Sequence, residues 1–151
     1  MIFNDYYRGF CIRDICHAVK STDENIKNEA VSLMADWYVN TREIGSDCVL
    51  IPVPQHTGRA EYTLEICKSV SEKCGCKISD VLYSVPHKSV YAQKASGNKR
   101  LYTGLYRKGN VQDSKRIYLI DNVISTGTTI RDCLTLIPNA VPFAYAKVQL
   151  H

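Results

Sequence analysis

Asp121, Ser125, Thr126, Gly127, Thr128 and Thr129 form the densest group of chemically able residues in the chain. They lie in the stretch Ile117-Tyr118-Leu119-Ile120-Asp121-Asn122-Val123-Ile124-Ser125-Thr126-Gly127-Thr128-Thr129. The hydroxyls can donate hydrogen bonds to an anion. Gly127 lets backbone approach a phosphate closely. Asp121 would repel a phosphate, so it suits the hydroxyls of an attached sugar, or a metal ion. A second group, His56-Thr57-Gly58-Arg59, also pairs a hydroxyl and a glycine with a cation. A third is a basic segment. Residues 84–116 hold eight Lys/Arg (88, 94, 99, 100, 107, 108, 115 and 116) against the single Asp113. Such a segment suits a polyanion, either a diphosphate or nucleic acid. Tyr102 and Tyr106 lie among these cations, and aromatic residues there would also suit stacking on bases.

The elements around these groups follow from apolar patterning. Residues 117–120 are a continuous run of large apolar side chains, the mark of a strand buried on both faces. Residues 130–137 predict a short helix stopped by Pro138. A strand, a short polar loop and a helix start make an anion site, because the first N–H groups of a helix have no intrahelical partner. Cys48-Val49-Leu50-Ile51 predicts another central strand. The loop 52–59 follows, then a helix over 60–74 with Ala60, Leu64, Cys67 and Cys74 near one face and Gly75 at its end. Residues 78–85 read as a third strand ended by Pro86. Residues 87–100 are long, polar and basic, the character of a lid. Ser21 and Glu24 have capping-box spacing and predict a helix to about residue 43, ended by Gly45, with Ile26, Ala30, Leu33 and Trp37 on one face. Residues 141–150 read as a last strand. Phe3, Tyr6, Tyr7 and Phe10 either cap the core or form part of a substrate hood. Strand–helix alternation predicts one α/β domain over 1–151, with a mainly parallel sheet flanked by helices.

Composition narrows the class. The chain of 151 residues, 45% hydrophobic, is long enough to bury a core. It has no run of eighteen apolar residues, so no transmembrane helix is expected. The first eight residues lack the charged and apolar regions of a signal peptide. Seven cysteines at 11, 16, 48, 67, 74, 76 and 133 have no zinc-site spacing, and several sit in apolar stretches. A reducing cytoplasm is the expected location. The four histidines have no ligand spacing either, so no metal site made of protein ligands alone is expected. A net charge of +4 is modest, and the basic excess falls after residue 84, since residues 1–47 hold five Lys/Arg against eight Asp/Glu. No Gly-x-x-x-x-Gly-Lys-Ser/Thr phosphate loop exists.

The stretch 117–129 resembles the signature of the type I phosphoribosyltransferases: four mostly apolar residues, two acidic residues, three variable ones, then Thr, Gly, a variable residue and Thr. Asp121, Thr126, Gly127 and Thr129 stand where that pattern wants them. The second acidic position is Asn122, which can hydrogen-bond a hydroxyl but brings no charge. The resemblance implies a type I phosphoribosyltransferase-like core with a reduced hood. It implies that Ser125, Thr126, Gly127, Thr128 and Thr129 hold the 5′-phosphate of 5-phosphoribosyl-1-diphosphate (PRPP). Asp121 and Asn122 would then be the catalytic pair gripping the ribose hydroxyls. His56, Thr57, Gly58 and Arg59 take the place of the family's diphosphate loop. Lys88, Lys99 and Arg100 take that of its flexible basic loop. Mg²⁺ would arrive with the diphosphate, near Asp121. The implied activity is transfer of ribose 5-phosphate to a nitrogenous base with release of diphosphate. The alternative is a non-catalytic PRPP- or nucleotide-binding module of the same fold, within a larger or nucleic-acid-associated complex. The layout also resembles the small competence-factor branch of the family. The base and the pathway are not readable, and the hood is left to the N-terminal segment, to a second copy or partner protein, or is absent.

Overall fold

The computed structural model describes residues 2–5 and 11–148. Its centre is a five-stranded sheet in which every neighbouring pair runs parallel. The strands are β1 (Ile2–Asp5), β2 (Cys48–Pro52), β3 (Lys77–Ile78), β6 (Arg116–Ile124) and β7 (Val141–Lys147), in the order β1-β7-β6-β2-β3. The central strands β2 and β6 are built on the apolar runs 48–51 and 117–120, as a parallel sheet covered on both sides requires. All of Cys48–Pro52 is buried, and Leu119 and Ile120 are fully buried.

Helices α1 (Ile12–Ala18), α2 (Glu24–Asn40) and α3 (Tyr62–Cys74) pack on one face. Their core joins Met34, Ala35, Tyr38, Ile66 and Val70 to Leu50, Tyr118, Ile120 and Phe143. The other face carries α5 (Thr128–Leu136), with Ile130, Cys133 and Ile137 set on Val49, Ile51, Leu119 and Ala144. A separate antiparallel pair, β4 (Leu82–Ser84) and β5 (Leu105–Arg107), brackets the short helix α4 (Val90–Ala95). The architecture is therefore α/β with a parallel sheet flanked by helices, as the sequence predicts.

Several local expectations are corrected. The run 78–85 is two strands, because β3 leaves the main sheet after Ile78 and β4 pairs with β5 instead. Its apolar residues hide the break at Ser79 and Asp80. The cap of α2 is Asp23, whose carboxylate accepts from the N–H groups of Asn25 and Ile26, while Ser21 only accepts from the Asp23 N–H. The buried face of α2 is Ala30, Val31, Met34, Ala35 and Tyr38, and Ile26 and Leu33 are nearly half exposed. The helix ends at Asn40, before Gly45. In α3 the buried residues are Thr63, Ile66, Cys67 and Val70, so Leu64 is off the core face, and Gly75 closes the helix at φ 70° as expected. The early chain adds β1 and α1, which sequence patterning leaves unassigned. Tyr6, Tyr7 and Phe10 lie outside the described residues, as do the last positions of the 141–150 run. No helix among the described residues is long and apolar enough to cross a membrane.

Candidate functional site

Two loops meet at one edge of the sheet. β2 and β6 are neighbours with Pro52 opposite Ile120, and the ladder continues one step to a Val53 N–H···O=C Ile120 bond of 3.0 Å. The loops after these strands, 53–61 and 125–127, thus leave the same carboxyl edge side by side. In open α/β sheets this edge is where ligands bind. Asp121 sits on β6 between the two exits.

Asp121 keeps part of its surface exposed, and its carboxylate accepts the Asn122 N–H at 2.8 Å. Burial pushes its pKa up to about 7, against the pull of that N–H and of Lys20. β6 runs on to Ile124, so Asp121 lies within the strand, one residue past the last pair with β2, and a carboxyl with a raised pKa there is a functional candidate with a physical reason behind it. Tyr38, fully buried on α2, holds the same point from below: its hydroxyl lies 2.8 Å from the carbonyls of both Asp121 and Phe143. Burial raises the Tyr38 pKa well above its usual value, so the hydroxyl stays a donor. Asn122 is 1% exposed and turned to α1, where its amide donates to the Cys16 carbonyl at 3.3 Å. Tyr38, Cys16 and Lys20 are contributors that sequence reasoning missed. Nothing in their spacing marks them, since α1 and the true face of α2 become visible only in the fold.

Past β6 the chain turns at Gly127, the N-cap of α5, at φ 81°. Nothing lies within 4 Å of where a Cβ there would stand. Ser125 and Thr126 are exposed, Thr129 is half-buried and Thr128 is buried. The Thr126 hydroxyl donates to that of Thr128 at 2.9 Å and accepts the Thr128 N–H at 3.3 Å. The loop is therefore ordered by its own hydroxyls, at the start of a nine-residue helix with positive dipole end. A cleft of about 220 Å³ borders it, lined by Ser125, Thr126, Gly127, Ile130, Arg131 and Lys147 among others.

The loop 53–61 is built differently. The Gln55 N–H bonds the Arg59 carbonyl and the Gly58 N–H bonds the Gln55 carbonyl, closing a tight turn with Gly58 at φ 130°. Ser84 ties this turn down twice, through its N–H to the Gly58 carbonyl at 2.9 Å and its hydroxyl to Gln55 O at 2.6 Å. His87 N–H reaches the His56 carbonyl at 2.9 Å, and His56 Nδ1 lies 2.9 Å from the His87 carbonyl. His56, Thr57 and Arg59 remain exposed. Arg59 also acts on Asp80, whose carboxyl is raised by burial and pulled back by Arg59 and Lys68.

The basic segment is fastened at its base. Gln93, 5% exposed on α4, donates its Nε2 to the carbonyls of Lys88 and Tyr102, and its Oε1 accepts the Tyr102 N–H, each at 2.7 Å. Lys88 follows directly on His87 and so stands next to the His56 loop, exposed to solvent. Lys99 and Arg100 are also exposed but lie beyond α4, toward the far end of the segment. Of the sequence-predicted residues, the fold thus gathers Asp121, Ser125–Thr129, His56–Arg59 and Lys88 around one sheet edge. Among the described residues, no three His, Cys, Asp or Glu side chains converge as a metal site. No protein-family model and no curated protein matches this sequence.

Proposed function

We propose that the carboxyl edge of the sheet binds PRPP on a type I phosphoribosyltransferase-like core, and that the chain transfers its ribose 5-phosphate to a nitrogenous acceptor. The observation that carries this reading is that the 53–61 and 125–129 loops follow adjacent parallel strands at the same edge of the sheet, with Asp121 on the strand between Ile120 and the second loop. In this reading Ser125–Thr129 hold the 5′-phosphate, and Asp121 binds the ribose hydroxyls. His56, Thr57, Gly58 and Arg59, with Lys88 and then Lys99 and Arg100, balance the diphosphate. The acceptor nitrogen attacks ribose C1, the C1–O bond breaks, and its electron pair leaves with the diphosphate. Positive charge develops at the ribose during this displacement, and it favours the ionised form of Asp121. The protein's part is positioning and charge balance, with no covalent nucleophile.

Mg²⁺ fits this site as a companion of the ligand. Asp121 is a single, weakly compensated carboxylate, enough for one contact and too little for a cage. Bound to diphosphate oxygens, the ion would neutralise charge on the leaving group.

One observation favours a second reading, binding without turnover. The second acidic position of the motif is occupied by an amide that is buried and committed to Cys16. Restoring an acid there puts a carboxylate against a carbonyl oxygen. Asn122→Asp is therefore expected to destabilise the fold by about 3 kcal/mol at pH 8, measured by urea unfolding.

Calorimetry with PRPP and Mg²⁺, followed by diphosphate release across a panel of bases, tests both readings. PRPP binding that Asp121→Ala weakens by roughly ten- to a hundredfold is expected. Release with one base supports transfer, and binding without release supports the module. Absence of PRPP binding would sink both.

A further inference from the structure

Helix α5 has a cleft on each flank. The one toward β7 begins at the 125–127 loop and belongs with the site above. The other, of about 490 Å³, is lined by Val85, the 101–106 segment, and Asp132, Thr135 and Leu136. These last residues are the C-terminal half of α5, away from Asp121. Its volume falls within the range of ordinary small-molecule sites, whereas the first does not.

Its walls are unusual for a surface left to water. Val85, Tyr102 and Tyr106 are 49%, 54% and 44% exposed, and all three line this one cleft. Each tyrosine is braced by a second aromatic ring. Tyr106 stacks on Tyr83 at 5.8 Å and 23°, and Tyr102 meets His87 edge-on at 5.4 Å. Rings held in place yet still half exposed are ready stacking surfaces, with little freedom left to lose on binding. The floor is polar. Buried Thr103 donates to Asp132 Oδ2 at 2.6 Å, which fixes the carboxylate while leaving lone pairs to accept more. Thr135 adds an exposed hydroxyl. Arg107, whose Nη1 donates to the Leu136 carbonyl at 3.4 Å, stands at the rim. Arg131 lies 3.8 Å from Asp132. Arg131, which lines the cleft on the other flank of α5, offsets the charge of Asp132, and Arg107 beside Leu136 leaves a cation near the mouth for an anionic group of a guest.

We propose that this cleft is a second binding site, distinct from the PRPP edge, for a nucleoside monophosphate. The base stacks against Tyr102 and Tyr106. An amino group on its edge donates to Asp132 or Thr135. The phosphate meets Arg107 at the mouth.

Titration calorimetry of the full chain with AMP, GMP, CMP and UMP tests it. Binding is expected, weakest for UMP, which has no exocyclic amine. Tyr106→Ala should weaken it roughly tenfold or more, the scale of one lost stacking contact. Tyr106→Phe should keep it, which separates stacking from a folding defect. In Asp121→Ala, which weakens any nucleotide held at the other edge, the binding that depends on Tyr106 should persist, so its failure and that of the PRPP reading are told apart. No binding at millimolar nucleotide overturns the proposal. So does binding that Asp121→Ala abolishes and Tyr106→Ala spares, because the nucleotide then occupies the other edge. A dimer in sedimentation velocity that Tyr106→Ala dissociates also overturns it, since the cleft would then be a subunit contact.

Discussion

The two loops at the sheet edge look alike in sequence and are held in opposite ways. In 53–61, two N–H groups are used inside the turn, and Ser84 and His87 clamp it from another part of the chain. In 125–127, the side-chain ties found among the described residues join Thr126 to Thr128, and no atom lies within 4 Å of where a Gly127 Cβ would stand. The first loop is a rigid wall whose order comes from long-range contacts. The second is a cradle at a helix start, where the Thr128 N–H is held from within the loop by the Thr126 hydroxyl. A Thr/Gly turn therefore means different things according to what else touches it. On the proposed reading, this difference would give 125–129 the closer contact with the phosphate and 53–61 a positioning part.

The largest effect expected from breaking this arrangement lies at the foot of the cradle. The folded pKa of Asp121, about 7, is above its unfolded value of about 4. Folding therefore favours the protonated acid. Asp121 costs no stability below pH 4, and the cost grows as the pH rises toward 7. Asp121→Asn removes that ionisation. It should match the wild type in urea unfolding at pH 4 and exceed it by roughly 2–4 kcal/mol at pH 8. Equal stabilities at pH 8 would mean that the carboxylate is already compensated.

Gly58→Ala should come next. Its φ of 130° lies where only glycine is comfortable, and its carbonyl is clamped by Ser84, so the loop cannot relax. A loss of about 2–3 kcal/mol is expected in urea unfolding. Gly127→Ala should cost less, about 1 kcal/mol, because its φ of 81° is nearer the left-handed well and no atom meets the new Cβ. The two variants should reverse order in PRPP affinity, measured by calorimetry, if the cradle makes the closer contact. The same order in both assays would remove the distinction between wall and cradle.

What was legible in the sequence is what local pattern decides. β2 and the first half of β6 contain apolar runs, Gly75 ends α3 in the left-handed conformation it is suited to, and Pro138 bounds α5. The grouping of the loops follows from topology, since both exit at strand ends. What failed depends on distant partners. Ile26 and Leu33 have helical spacing and sit on α2, but Val31, Met34 and Tyr38 win the core because the sheet offers Phe143 and Ile120 to them. β4 leaves the main sheet for β5, more than twenty residues later. Asn122 reads as a member of the site, and only the position of α1 reveals that its amide is spoken for.

Gln93 has a consequence for motion. One buried amide bonds Lys88 at one end of the basic segment and Tyr102 at the other, just inside the Val85 N–H···O=C Gly104 bond, so 88–102 is closed into a ring at its base. Such a ring cannot fray from its tip, because its ends are fixed first. It must swing as one body or release all three bonds together. Hydrogen exchange would register this as a single cooperative opening: the Tyr102 amide should exchange more slowly than its exposed neighbours in wild type, and Gln93→Ala should bring it to their rate.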